Sequence, residues 1–321
     1  MNTTSRLATL AALLVLFCAQ ATRAAEEFPS KPIRFIIPSA AGGGPDVTTR
    51  KMVQVMEPRI KQALIVEARP GGNGTIGTSF VAKSAPDGHT IVYGSSSTLS
   101  AVKAALKDPP YDPVRDFSGV IIFQEVSFVF LVSPDEKGVS FPQFIDKMRR
   151  NPERYPTGAS FVTAEIINTL LTDAARLKHS YVRYTQAPTA LTDLMGGRLG
   201  MVISSINVVR PLIDSGKLHA LAVTSPERLS ILPNTPVIAE TYPEVWVKNL
   251  NGFYVPAKTP RAVVAYLNQR MIEALRDPEL TKWNESTGRA LFLSPEETDD
   301  TLRKDEARVL QLYKKAGIKP E

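Results

Sequence analysis

The sequence predicts an α/β fold in two lobes, each a mostly parallel sheet flanked by helices, with a cleft between them. Three observations carry this. Short apolar runs alternate with helical patterns across short loops in the first third of the chain, the pattern of a parallel sheet covered on both faces. The alternation resumes after a Pro- and Asp-rich joint, Asp108-Pro109-Pro110-Tyr111-Asp112-Pro113, so the middle block has a core of its own. Polar loops follow the strands, and ligands of such sheets sit beyond the carboxyl ends of the strands.

The elements follow in order. Residues 33–37 read as the first strand, and 47–60 as a helix opened by Asp46 at its N-cap. Residues 64–67 form the next strand, 76–83 a helix, and 90–93 a third strand ending in Gly94-Ser95-Ser96-Ser97. A helix over 98–106 takes its cap from one of these serines. Beyond the joint, 121–123 and 126–132 are β-rich, and 141–149 is a helix ended by Asn151-Pro152. Residues 157–160 read as a polar loop before a helix at 164–171. A strand at 181–184, a helix at 189–195, a strand at 199–203, a helix at 208–215 and a strand at 218–223 complete the block. A β segment at 246–253 and a helix at 260–274 follow. The amphipathic tail helix at 296–316 needs a partner surface, for which the first lobe is the natural one. The lobes then divide as 25–124 with 249–321, and 125–248, with a hinge between them.

Residues 1–24 have the build of a secretory signal: Arg6, an apolar run from Leu7 to Ala19, then small residues around Ala21 and Ala24. Phe17 before Cys18 is too bulky for a lipoprotein signal. Cleavage would place the chain in the periplasm without its one cysteine, so packed cores alone stabilise it. Removing Arg6 and Arg23 from the 38 basic residues leaves 36 against 32 acidic, a net charge of +4. That balance helps anions approach but builds no nucleic-acid groove.

Two loops promise binding chemistry. In Pro38-Ser39-Ala40-Ala41-Gly42-Gly43-Gly44-Pro45-Asp46, adjacent glycines between strand and helix let backbone N–H groups face an anion. Arg69-Pro70-Gly71-Gly72-Asn73-Gly74-Thr75 repeats the arrangement after the second strand. Neither loop has dinucleotide or P-loop spacing. Hydroxyls of Ser95, Ser96, Ser97, Ser160, Thr163, Ser204 and Ser205 can hold a carboxylate while leaving it ionised, and Phe161 and Tyr184 can wall an organic body. Three scattered histidines give no zinc pattern, and no GxSxG elbow surrounds the serines. The expectation is a binding protein with no metal or cofactor.

Longer strings sharpen this. Phe28-Pro29-Ser30-Lys31-Pro32-Ile33, the run from Pro38 to Asp46, Arg69-Pro70-Gly71-Gly72 and Ala85-Pro86-Asp87-Gly88-His89-Thr90 appear in order. Tyr111-Asp112-Pro113-Val114-Arg115-Asp116-Phe117, the run from Pro188 to Gly197, the run from Gly216 to Thr224, and Leu232-Pro233-Asn234-Thr235-Pro236 follow. With these motifs the chain resembles the periplasmic solute receptors of tripartite tricarboxylate transporters, the Bug-type proteins, over almost its whole mature length. The resemblance implies a periplasmic-binding-protein fold of the Venus-flytrap kind, closing on a small organic acid that is passed to membrane permease subunits. One ligand carboxylate would meet the loops of Ala40, Ala41, Gly43, Gly44, Asp46, Asn73 and Thr75, assisted near Ser95, Ser96 and Ser97. The other end would meet Ser160, Phe161, Thr163, Tyr184, Gln186, Ser204 and Ser205.

The chain departs from the family pattern where selectivity is set. Ala41 replaces the usual Pro and Pro45 the usual Thr or Ser, while Phe161, Val162 and Glu165 replace a Gly-Thr and a following His. Ser204 and Ser205 stand where an acidic residue often receives a ligand ammonium. A dicarboxylate or an aromatic acid is therefore expected over an amino acid. Two alternatives remain at this point: a secreted α/β hydrolase using Ser96, and a sensing partner of a membrane receptor such as a sensor kinase.

Overall fold

A computed structural model describes residues 28–320, apart from Phe161, Thr185, Trp246 and Ala316. The signal segment at 1–24 and Phe161 thus lie outside the described residues. The strands are β1 (Ile33–Ile37), β2 (Leu64–Ala68), β3 (Thr90–Ser95), β4 (Phe117–Val126), β5 (Phe128–Val132), β6 (Thr157–Ala159), β7 (Tyr181–Arg183), β8 (Met201–Ser205), β9 (His219–Val223), β10 (Asn249–Pro256) and β11 (Gly288–Ala290). They form a six-stranded sheet ordered β11-β4-β10-β3-β1-β2 and a five-stranded sheet ordered β7-β6-β8-β5-β9. The main helices are α1 (Gly44–Met56), α2 (Thr75–Ala82), α3 (Phe141–Arg150), α4 (Val162–Ala175), α5 (Ala187–Met195), α6 (Ile206–Asp214), α7 (Arg261–Leu275), α8 (Pro278–Thr287) and α9 (Pro295–Lys315).

Both sheets are mixed rather than mostly parallel. Strands β2, β1 and β3 run parallel, as do β7, β6 and β8, which is the part the βα alternation foretells. The antiparallel pairs all involve strands that carry the chain between sheets or flank the crossing: β10 against β3 and β4, β11 against β4, and β5 against β8 and β9. Each sheet is buried on both faces. Phe128, Phe130 and Val132 enter one apolar cluster while Val129 and Leu131 enter another, as period-two alternation requires. In β1, Ile33, Phe35 and Ile37 face one side and Ile36 the other.

Register brings the two carboxyl edges together. Ser95 at the end of β3 lies opposite Asn251, and Asn249, two residues earlier on β10, lies opposite Val126 at the end of β4. After Ser127 the chain enters the other sheet, where Phe128 at the start of β5 lies opposite Ser205 at the end of β8. The ends of β3 and β8 therefore flank one crossing peptide. The parallel pairings put the carboxyl ends of β1, β2 and β3 at one edge of their sheet, and those of β6, β7 and β8 at one edge of theirs.

Helix α9 does not rest on the first lobe alone. Leu302 packs beneath the six-stranded sheet, and the Thr298 and Asp299 side chains accept hydrogen bonds from the N–H groups of Ile122 and Gly119. Two turns on, Val309 and Tyr313 enter the core of the five-stranded sheet beside Phe128 and Phe144. At 21 residues the helix is long enough for both tasks, since each residue adds about 1.5 Å. The short helix Val102–Ala105 likewise sends Ala104 into that second core. No helix among the described residues is long and apolar enough to cross a membrane.

Candidate functional site

The first loop leaves β1 and enters α1, whose N-cap is Gly43 with Pro45 in the first turn. Asp46 is therefore not the N-cap, as its sequence position suggested, but lies inside that turn. Its Oδ2 accepts a hydrogen bond from the Gly42 N–H (3.0 Å) and one from Arg50 Nε (3.0 Å). The reach back to Gly42, at φ +78°, fixes the glycine loop. Burial pushes the Asp46 carboxyl up, but the Arg50 hydrogen bond, the Gly42 N–H and the Arg50 charge outweigh it and hold the group below its ordinary value. Asp46 thus serves the loop's shape, while Ala40 and Ala41 stand exposed and Gly43 and Gly44 are half-buried at the start of the helix.

The second loop is a left-handed turn. Gly72, Asn73 and Gly74 have φ of +56°, +52° and +91°, and Thr75 Oγ1 donates to the Gly72 carbonyl (2.7 Å). Gly72 and Asn73 are exposed, while the N–H groups of Gly74 and Thr75 are tied to the Gly71 and Gly72 carbonyls. Gly74 packs this turn against its neighbours: a Cβ there would lie 2.6 Å from Thr98 Cγ2 and 3.2 Å from the Pro38 carbonyl oxygen. The third loop is a π-helical turn, Ser96–Ser100, capped by Ser95, whose N–H donates to Thr98 Oγ1 (3.0 Å).

Across the cleft, Ser97 Oγ and Thr163 Oγ1 are 2.8 Å apart. This hydrogen bond joins the loop after β3 to the first turn of α4, the helix that follows β6. Strand-end loops of the two sheets therefore meet, with hydroxyls at the point of contact.

A model of the tripartite tricarboxylate transporter family receptor matches residues 48–311. The chain belongs to that family. As such a receptor it binds a small organic acid in the periplasm and delivers it to a tripartite tricarboxylate-type membrane transporter; it is a binding protein, not an enzyme. It is 31% identical over 279 residues to a protein from the tcbD-tcbE intergenic region of Pseudomonas sp. strain P51, covering 85% of this chain and 83% of that one. Among solved structures, the periplasmic binding protein BugD superposes with a TM-score of 0.84 at 26% identity, over 92% of this chain and 100% of that one. The R. palustris protein Rpa4515, solved with adipate, gives 0.85 at 26% identity, again over 92% and 100%.

Not every serine on the receptor's strand ends faces the cleft. Ser96 is turned inward: its Oγ donates to Asp305 Oδ2 (2.7 Å) and accepts from the Leu250 N–H (2.9 Å). The expectation that Ser96 contacts ligand gives way to a structural tie, and its partner is a carboxylate rather than the histidine a hydrolase would need. Tyr184 is also engaged elsewhere. Its hydroxyl donates to Asp193 Oδ2 (2.7 Å), and burial, with the Asp193 bond and charge, raises its pKa to about 12. Thr163 and Ser204 are buried, Ser160 and Ser205 half-buried, and Gln186 exposed at the N-cap of α5. Sequence reasoning missed Asp305 because it lies 209 residues from Ser96, with no local signal to pair them.

Proposed function

We propose that the ligand is a dicarboxylate held end to end between the facing loops. The Ser97–Thr163 contact carries this reading, because it shows hydroxyl-bearing loops of both lobes within hydrogen-bond reach. One carboxylate is taken by N–H groups at Gly44 and Asn73, with Ser97 beside them and Thr75 holding the second loop through the Gly72 carbonyl. The other is taken by Ser160, Ser204 and Ser205, with Gln186 at the rim and Thr163 beside Ser97 where the loops touch. Ser204 Oγ is buried, with no hydrogen-bond partner among the described residues, so it has a donor to spare. Serines at 204 and 205 offer an ammonium group no negative charge, which disfavours amino acids. Adipate on the R. palustris relative supports the same chemical class.

We further propose that the lobes divide near Ser127 and Asn249, and that permease subunits of the transporter recognise both lobes in the closed form. A thermal-shift screen over aliphatic dicarboxylates of increasing chain length, aromatic acids and amino acids tests the ligand class. Stabilisation by dicarboxylates, weakened by Thr75→Ala, is expected. Stabilisation by amino acids alone would overturn it.

A further inference from the structure

Three segments meet behind the candidate cleft: the loop after β3, the return crossing into β10, and α9. The Asp305 carboxylate joins all three. Its side chain is 3% exposed, and its Oδ2 accepts from Ser96 Oγ at 2.7 Å. Ser96 in turn accepts from the Leu250 N–H at 2.9 Å. The other oxygen, Oδ1, accepts from Arg308 Nε at 3.1 Å, and Arg308 also donates to the Lys248 carbonyl at 3.2 Å. The hydroxyl next in sequence to Ser96 is that of Ser97, which touches Thr163 in the other lobe.

We propose that Asp305 is a positioning residue of the receptor: through Ser96 it sets the Ser95–Thr98 loop against the hinge, and so fixes how the lobes meet at Ser97 and Thr163. The proposal rests on the reading of that loop as part of the site, but its mechanics do not require a ligand. A charged acceptor holds a buried hydroxyl more tightly than a neutral one, so Ser96 has one orientation and the loop one height. Arg308 donates to the other carboxylate oxygen and links it to the crossing strand. Helix α9 packs on both cores around this point, so a shift of Asp305 is felt by both lobes.

The test reads inter-lobe distance in the ligand-free protein. On a Cys18→Ser background the chain has no cysteine, so spin labels at Lys61→Cys and Lys217→Cys, both exposed and one on each lobe, report a single distance distribution. Ser96→Ala and Asp305→Asn should each broaden it by the same amount, and the double variant should broaden it no further, because the two act through one bond. Arg308→Gln, a change on the more exposed side of the same carboxylate, should broaden it too and does not depend on a buried replacement. Lowered melting temperatures with an unchanged distribution would overturn the proposal, leaving Asp305 a stabilising residue only. So would single-variant effects that add in the double. Because no ligand is used, failure here is distinct from failure of the dicarboxylate reading.

Discussion

Replacing Gly74 by alanine tests whether the three strand-end loops of the first lobe are packed through one point. Gly74 has φ +91°, a conformation that costs an L-residue about 1–2 kcal/mol. The added Cβ would also lie 2.6 Å from Thr98 Cγ2 and 3.2 Å from the Pro38 oxygen, wedging the second loop off the third and the first. Overpacking of that kind adds about 1–3 kcal/mol. The total expected for Gly74→Ala is therefore about 2–5 kcal/mol of lost stability, read from urea denaturation midpoints at constant slope. Thr98→Ser removes the methyl group that collides but keeps the Oγ1 that accepts the Ser95 N–H. In that background Gly74→Ala should cost less, about 1–2 kcal/mol for the conformation plus what the remaining Pro38 oxygen contact adds. An equal cost in both backgrounds would refute the packing argument, and a cost near zero would refute the left-handed turn itself.

Asp46→Asn keeps an oxygen for the Gly42 N–H but loses the charge facing Arg50, and should cost about 1 kcal/mol near neutral pH. Because the folded carboxyl titrates below its ordinary 3.8, that advantage is complete above this value and disappears as pH falls through the folded pKa; a gap persisting in strong acid would count against it. Burial lowers the pKa of His179 and, with Lys137 nearby, of His219, both below 6.5. The unfolded chain then binds more protons just under 6.5, so urea midpoints should fall as pH drops through that region, and less steeply in His219→Gln. Ser97→Ala and Thr163→Ala should each weaken binding of the best acid in the panel by about 0.5–1.5 kcal/mol, with the double variant well short of the sum by calorimetry.

The βα alternation of the first hundred residues was legible because β1 and β3 are largely buried apolar runs next to proline or glycine signals, while β2, half-exposed at the sheet edge, still keeps an apolar start at Leu64-Ile65-Val66. The polar reading of 157–160 failed for a physical reason. Thr157, Gly158 and Ala159 are β6, a strand so short that its burial comes from neighbours, with Thr157 Oγ1 donating to Asn168 Oδ1 and 2.9 Å from His179 Nε2. Helix α8 and strand β11 escaped notice because Pro278–Thr287 is mostly polar. Its hold is tertiary, through Leu280 in the core and the Asn284 side chain donating to the Phe123 carbonyl. Glycine loops announce themselves by composition. The inward turn of Ser96 does not, since which of three adjacent serines faces a cleft depends on a helix two hundred residues away.

The charges around the candidate loops show why neutral donors suit this receptor. Arg50 is paired with Asp46, Arg183 with Glu165, and Arg198 with Asp193. Each of these guanidiniums already has a carboxylate partner from its own lobe. On the proposed reading, an incoming acid therefore meets backbone N–H groups and hydroxyls before any of these three guanidiniums. Such donors hold an anion by geometry, and several must converge at once, which only apposed lobes provide. On the same reading, separation of the lobes removes half of them, so release needs no salt bridge to be broken. The crossing peptide at Ser127 suits this reading, because the registers of β10, β4 and β5 set the ends of β3 and β8 on either side of it.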